Sequence, residues 1–245
     1  MKKKNNLYIS IGNTTTTFAY FENSINKINT IKFNTTKFFK TLNFVEILNK
    51  FDISIDRIFV SSVKKSLNKF IISYFENNKI IFLKWNNQKN ISLDLLDNPK
   101  EVGNDIIASA IFANTLGDNM TIISLGTATV IANIYKGKLT GCTISPGLET
   151  SYDSLFKKIS INKISLKEIA NYNLKKIGLN TKESIAIGVI QGHKLMVQEI
   201  ANSFDNQQNT NYVYYGGNSH YIKFENWNKY NDMDLLGLYI YSKSK

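Results

Sequence analysis

The stretch that decides the fold is Ile9-Ser10-Ile11-Gly12-Asn13-Thr14-Thr15-Thr16-Thr17-Phe18-Ala19-Tyr20-Phe21, because a second copy of it follows 114 residues later. That copy reads Ile123-Ser124-Leu125-Gly126-Thr127-Ala128-Thr129-Val130-Ile131-Ala132-Asn133-Ile134-Tyr135, and the two align without gaps. In each copy apolar residues form a strand, a glycine permits the positive φ of a tight turn, and a β-branched run resumes extended structure. The repeat therefore predicts a duplicated architecture.

Alternating helices and strands surround both copies. Apolar periodicity predicts helices over residues 36–50, 66–77, 106–115, 181–204 and 235–242, and one that ends at 156. Buried strands are predicted over residues 57–63, 79–85 and 212–215. We therefore expect an α/β fold of two domains, residues 1–117 and 118–245, that face one another.

The strong positive charge does not by itself indicate a nucleic-acid partner. The formal net charge is +11, yet among 30 basic residues only Arg57 is arginine, and the lysines are scattered along the chain. A nucleic-acid reader clusters its basic residues and uses arginine for base edges. We expect a solvated lysine-rich surface and no nucleic-acid partner; a functional basic patch is the alternative.

Cysteine and hydropathy suggest the compartment. The single cysteine, Cys142, cannot form an intramolecular disulfide, and two histidines leave too few soft ligands for structural zinc. No stretch approaches the ~20 apolar residues of a membrane helix. The basic start is followed by too short an apolar run for a signal peptide. We expect a cytoplasmic protein without membrane association.

The two glycine turns and one carboxylate suggest chemistry. Turns rich in glycine and threonine present backbone N–H groups and hydroxyls, which suit phosphate oxygens; the alternative is that they are ordinary hairpins. Asp105 follows a glycine and precedes an apolar helix. It is either a helix N-cap or a base that accepts the proton of a substrate hydroxyl during phosphoryl transfer.

These residues resemble the motifs of the type III pantothenate kinases, in the same order along the whole chain. The family's Asp-x-Gly-Asn-Thr, Gly-x-Asp-Arg and Asp-x-Gly-Thr-Ala-Thr are similar to the segments that contain Gly12, Asp105 and Gly126. Further matches are Val60-Ser61-Ser62-Val63, Pro99, Ser145-Pro146-Gly147-Leu148, Gly178-Leu179-Asn180-Thr181, Gly216-Gly217 and Gly237-Leu238.

The resemblance implies an acetate-kinase/actin-like fold of two ribonuclease-H-like domains facing across an interdomain cleft. It implies a transferase that phosphorylates pantothenate to 4'-phosphopantothenate from ATP, the first step of coenzyme A biosynthesis. Mg²⁺, a monovalent cation (potassium or ammonium) and a homodimer are implied as well.

The resemblance also implies site residues. Asp105 would be the catalytic base, and Ser124 would stand at the monovalent cation position. ATP would meet Ser10, Ile11, Gly12, Asn13, Thr14, Thr15, Thr16, Thr17 and Thr127. Pantothenate would meet Gly103, Asn104, Asp105, Ile106 and Thr181, the last in some family members from the neighbouring subunit.

Four polar anchors of the family pattern are replaced here. Both motif aspartates are serine, at Ser10 and Ser124, the arginine after the base is Ile106, and the lysine after the first turn is Thr17. A neutral hydroxyl is a poorer magnesium ligand than a carboxylate. The alternative to an active kinase is therefore a catalytically impaired homologue that acts as a binding or regulatory protein.

Overall fold

The computed structural model describes residues 4–170, 177–204 and 210–245. The chain forms two compact units. One contains the residues up to Leu116 together with Asp232–Lys245, and the other contains Gly117–Asn231; we call them unit 1 and unit 2. Within the described residues, no helix has the length and apolar character needed to cross a membrane.

Unit 1 is built on a five-stranded mixed sheet. Its strands are β1 (Lys4–Ile11), β2 (Thr15–Phe21), β3 (Ile28–Asn34), β4 (Ser54–Ser62) and β5 (Lys79–Phe82). The order is β3-β2-β1-β4-β5, in which the first three strands are antiparallel and the last two run parallel to β1. The strands bury apolar residues such as Ile9, Phe18 and Val60.

Unit 2 repeats this topology. Its strands are β6 (Met120–Leu125), β7 (Ala128–Tyr135), β8 (Lys138–Pro146), β9 (Asn211–Tyr215) and β10 (Asn228–Lys229). Their order is β10-β9-β6-β7-β8, with β6 to β8 antiparallel and β9 and β10 parallel. The order matches that of unit 1 strand for strand, so the predicted duplicated α/β fold is confirmed.

The two glycine hairpins close differently. Ile11 lies opposite Thr16 in the first hairpin. The gapless alignment would pair its counterpart Leu125 with Val130, but Leu125 lies opposite Thr129. The first turn thus has four residues between the paired positions and the second has three. The alignment is shifted by one residue beyond the glycine, because strand pairing fixes which positions are equivalent.

The predicted helix over residues 36–50 is wrong as a single element. It is two helices, α1 (Thr35–Thr41) and α2 (Phe44–Phe51). Leu42 between them has a left-handed backbone with φ of 52°, and the side chain of Asn43 caps the second helix. A left-handed residue cannot continue a right-handed helix, so the chain turns there.

The remaining helices fall near the predicted positions, with shifted ends. They are α3 (Asn68–Tyr74), α4 (Asn104–Ala113), α5 (Leu148–Phe156), α6 (Leu166–Ala170), α7 (Thr181–Ala186), α8 (Gly192–Ser203) and α9 (Met233–Lys243). A π-helical segment, Ile187–Gln191, joins α7 to α8, so the long helix predicted from Thr181 is continuous but irregular. The short α6 was not predicted.

The last helix, α9, packs in unit 1. Its Gly237 lies against the backbone of Ala108 on α4, so close that a Cβ atom would overlap the Ala108 carbonyl. Tyr8 on β1 hydrogen-bonds Ser242 near the end of α9, at 2.9 Å. The sequence had assigned these C-terminal residues to the second domain; the limits 1–117 and 118–245 remain a prediction, while the packing associates α9 with unit 1.

Candidate active site

Asp105 lies in the first turn of α4, where its carboxylate is partly buried. Gly103 occupies the N-cap position of this helix, so Asp105 is not its N-cap. The Asp105 carboxylate instead accepts a hydrogen bond from the backbone N–H of Ile106, at 2.9 Å. Burial raises the pKa of the Asp105 carboxyl, and the hydrogen bond from Ile106 opposes that rise. A carboxylate with a raised pKa is a stronger base.

The residues on either side of Asp105 leave space for its carboxylate and fix the start of the helix that carries it. A Cβ atom on Gly103 would come within 2.5 Å of Asp105 Oδ1, although the φ of −59° at this position suits any residue. The Asn104 side chain donates to the carbonyl of Ser62, at 3.1 Å, which ties α4 to the end of β4. The side chain of Ile106 is buried, so what it offers this site is its backbone N–H.

The glycine turn of unit 1 is closed by the backbone. Gly12 N–H donates to the carbonyl of Thr15 at 2.9 Å, and a Cβ atom on Gly12 would meet that same oxygen. Thr35, the first residue of α1, donates from its hydroxyl to the Gly12 carbonyl and from its N–H to the Thr14 carbonyl. Asn13, Thr14 and Thr15 are exposed. The turn therefore presents a fixed, accessible loop.

The rest of the predicted ATP-binding stretch points inward. Ser10, Ile11, Thr16 and Thr17 are all buried. The hydroxyl of Thr16 bonds to that of Thr35 at 3.0 Å, so it supports the turn from within. Within this stretch, the solvent-exposed side chains are therefore those of Asn13, Thr14 and Thr15 at the tip of the hairpin.

Ser10 has a partner that sequence reasoning missed. Its hydroxyl donates a hydrogen bond to Oδ2 of Asp234, near the start of α9. Burial raises the pKa of Asp234 to about 6, the Ser10 bond opposes this, and the charges of Asp232 and Asp105 add to it. The sequence signal was faint, because an acidic residue at the start of an apolar helix is an ordinary first-turn feature.

The glycine turn of unit 2 is supported by two other glycines. Thr127 is exposed, and its carbonyl accepts from the N–H of Gly147 at 3.0 Å and from the hydroxyl of Thr150 at 2.6 Å. A Cβ atom on Gly147 would lie 2.7 Å from the Thr127 carbonyl oxygen. Gly216, with φ of 109°, approaches the Leu125 backbone as closely. The two matched glycine motifs thus shape the turn that carries Thr127.

Ser124 and Thr129 lie on either side of this turn. Ser124 pairs in register with Val130 and Tyr215. The hydroxyl of Thr129 lies 2.9 Å from Nε2 of His193, and burial lowers the pKa of His193. Among the described residues, no group of three or more histidine, cysteine, aspartate or glutamate side chains could hold a metal ion.

Thr181 is separate from these turns in the sequence and opens α7. Asn180 caps the helix by accepting from the N–H of Glu183 at 3.0 Å. Thr181 is exposed and lines a groove of about 710 Å³ in unit 2, whose other walls are mostly apolar and include Ile185, Met196 and the π-helical segment.

The duplicated five-stranded mixed sheet with a glycine turn in each copy defines an α/β protein of the acetate-kinase/actin-like fold class. The family model for type III pantothenate kinases matches residues 6–203. The chain belongs to the type III pantothenate kinase family. The type III pantothenate kinase of Mycoplasma mobile is 31% identical over 241 residues, 95% of this chain and 96% of the relative. That of Desulforapulum autotrophicum is 32% identical, covering 83% and 81%.

Solved structures are similar in fold at lower identity. The activator of the 2-hydroxyisocaproyl-CoA dehydratase from Clostridium difficile, with bound ADPNP, has a TM-score of 0.59 at 14% identity and covers 98% of this chain and 95% of its own. A ROK family glucokinase from Streptomyces griseus has a TM-score of 0.56 at 10% identity, covering 98% and 99%. These likenesses confirm the predicted fold class.

Proposed function

We propose that this chain phosphorylates pantothenate to 4'-phosphopantothenate with ATP, the first step of coenzyme A biosynthesis. The observation that carries the proposal is the family match over residues 6–203, which spans both glycine turns and Asp105. Two relatives that align with 95% and 83% of this chain are named type III pantothenate kinase.

Asp105 serves as the general base in this proposal. Its carboxylate takes the proton of the substrate hydroxyl as that oxygen forms a bond to the γ-phosphorus of ATP; the bond from this phosphorus to the β–γ bridging oxygen breaks, and ADP leaves. The raised pKa of Asp105 favours proton uptake. Gly103 leaves room for the carboxylate, and Asn104 fixes the helix start that carries it.

The exposed tips of the two turns contact ATP phosphates in this proposal. Asn13, Thr14 and Thr15 in unit 1 and Thr127 in unit 2 offer backbone N–H groups and hydroxyls without net charge. Such groups suit anionic oxygens. The buried residues Ser10, Ile11, Thr16 and Thr17 then act by holding the first turn in shape.

Mg²⁺ fits the donor atoms beside the first turn. The acidic donor there is the Asp234 carboxylate, to which the Ser10 hydroxyl is hydrogen-bonded, and magnesium prefers oxygen ligands while it keeps waters and substrate phosphates. When bound with the nucleotide, the ion would supply positive charge to the transferred phosphoryl group. A site of this kind needs no cluster of three acidic side chains.

Three further features extend the proposal from the family resemblance. Potassium or ammonium stimulates turnover, and Ser124 stands at the position of this monovalent cation. The chain is a cytoplasmic homodimer in which the substrate-contacting Thr181 lies near the subunit interface. Exposed apolar residues beside Thr181 support an interface there, since Leu179 is 77% and Ile177 72% exposed. Light scattering of the purified chain tests the dimer.

A single-turnover assay tests the function. Purified chain, labelled ATP, magnesium, potassium or ammonium, and pantothenate should give phosphopantothenate, and Asp105→Asn should slow its formation by roughly 10²- to 10⁴-fold while ATP binding persists. An impaired homologue would give no product with the native chain and regain it with Ser10→Asp/Ser124→Asp. The replaced aspartates at Ser10 and Ser124 are what that alternative rests on, and the match to named kinases supports an active enzyme better.

A further inference from the structure

A carboxylate is present beside the first glycine turn even though the motif position at its strand end is serine. Ser10 lies on β1, two residues before Gly12, and its hydroxyl donates to Asp234. A strand advances about 3.3 Å per residue, so the Asp234 carboxylate is held about 7 Å along the strand from the turn. That separation can be bridged by a metal ion and its water or phosphate oxygens.

The balance of charges around Asp234 favours the binding of a cation. Asp232 is paired with Lys32 through a 2.6 Å ion pair, so that lysine is engaged elsewhere. No basic side chain within the described ranges pairs with Asp234, and the charge of Asp105 acts on it unfavourably. Two carboxylates that repel one another are stabilised by a nearby divalent cation.

A second observation points to a ligand at the same place. Ser61 on β4 lies beside Ser10 in register, and register partners on neighbouring strands direct their side chains to the same face. The Ser61 hydroxyl is buried, with 1% exposure, and has no hydrogen-bond partner among the described residues. A buried unsatisfied hydroxyl is costly unless a water or ion completes its bonding.

We propose that Asp234, positioned by Ser10, holds the hydrated magnesium of the metal–ATP complex and supplies the carboxylate that position 10 lacks. The acidic group has thus changed its place in the sequence, from the end of β1 to the start of α9, while remaining beside the same turn. Asp234 contacts the hydrated ion and Ser10 is the positioning residue. The inference rests on the proposed ATP-dependent function and deepens it.

Equilibrium binding tests this role without turnover. ATP affinity of the native chain is measured by calorimetry with magnesium and with EDTA, and the ratio of the two dissociation constants reports the magnesium contribution. In Asp234→Asn the amide oxygen can still accept from Ser10, so the fold is retained, but we expect the ratio to fall about tenfold, equivalent to about 1.4 kcal/mol. Asp232→Asn, two residues away, is the matched control and should keep the native ratio.

The rescue variant separates a metal role from a structural one. Ser10→Asp/Asp234→Asn should regain most of the magnesium contribution, because it returns a carboxylate to the same place. Mn²⁺ in place of magnesium gives a second readout, because its electron paramagnetic resonance spectrum broadens when the protein holds the ion together with ATP. This broadening should be reduced in Asp234→Asn and restored in the double variant. If Asp234→Asn weakens ATP binding equally with magnesium and with EDTA, or if the double variant fails to recover, the metal role is wrong.

The two proposals fail in different ways. If the native chain makes phosphopantothenate but Asp234→Asn keeps its magnesium ratio, the assignment of Asp234 alone is overturned. If the native chain binds magnesium–ATP through Asp234 but transfers no phosphoryl group to pantothenate, the proposed function is overturned and the metal assignment stands.

Discussion

Gly237 on α9 lies directly against the backbone of Ala108 on α4, closer than any side-chain atom would allow. Each of these two helices carries a carboxylate in its first turn, Asp234 on α9 and Asp105 on α4. The charge of Asp105 contributes to the raised pKa of Asp234, so the two groups influence each other. The close contact between α4 and α9 therefore keeps these two carboxylates near enough to influence each other.

We expect Gly237→Ala to lower the free energy of unfolding by about 2 kcal/mol or more, because the new methyl group must push α9 away from α4. Denaturant titration measures this directly. Gly188→Ala is the matched control, since a Cβ atom there meets nothing within 4 Å and alanine favours helical structure. Equal stability of the two variants would contradict the close contact.

The stability of the protein should depend on pH through Asp234. Its pKa is raised from 3.8 to about 6 on folding, so the native state binds the proton more tightly than the unfolded chain. The stabilisation is fully present below about pH 4 and is lost as the pH rises through 6, by at most about 3 kcal/mol. Asp105, whose pKa is also raised by burial, acts in the same direction.

Denaturant titrations between pH 4 and 8 test this dependence. Asp234→Asn should flatten the curve above pH 4 and should make the nucleotide-free protein at least as stable as the native chain at pH 7.5. The difference in unfolding free energy between the native chain and Asp234→Asn should fall as the pH rises from 4 to 8. A difference that rises with pH would contradict the raised pKa of Asp234.

Much of the fold could be predicted because its signals are local. The glycine turns and apolar strands at Gly12 and Gly126 identify both sheets, and the duplication predicts that the two sheets share one topology, as they do. The break between α1 and α2 could not be predicted, because Leu42 is a good helix former that tertiary structure holds at positive φ without glycine or proline. The half-buried β3 also lacked a clear pattern.

The break at Leu42 gives a stabilising substitution. Left-handed backbone costs a residue with a Cβ atom about 1 kcal/mol or more, and because Leu42 is 37% exposed, loss of its partly buried side chain offsets only part of this gain. We expect Leu42→Gly to raise the free energy of unfolding by about 0.5 kcal/mol. Thr41→Gly, at the last residue of α1, should lower it by about 0.3 kcal/mol; a loss in both variants would contradict the left-handed cap.

The site was predictable only where its residues belong to a motif. Asp105 and the two turns follow from short segments whose spacing is visible in the chain. The hydrogen bond between Ser10 and Asp234 joins residues 224 positions apart, and no periodicity or spacing links them. Such contacts depend on the packing of α9 in unit 1, which the sequence had placed with the second half.

Gly103 should control catalysis through Asp105. Alanine is allowed at its φ of −59°, but its Cβ atom would come within 2.5 Å of Asp105 Oδ1 and displace the carboxylate. We expect Gly103→Ala to lower kcat about 10- to 100-fold while ATP affinity and unfolding free energy change little, since misplacing a base mainly affects the transition state. Single-turnover kinetics of Gly103→Ala, Asp105→Asn and the double variant form a mutant cycle. If Gly103 acts through the carboxylate, the double variant is no slower than Asp105→Asn; additive losses would mean that Gly103 acts elsewhere.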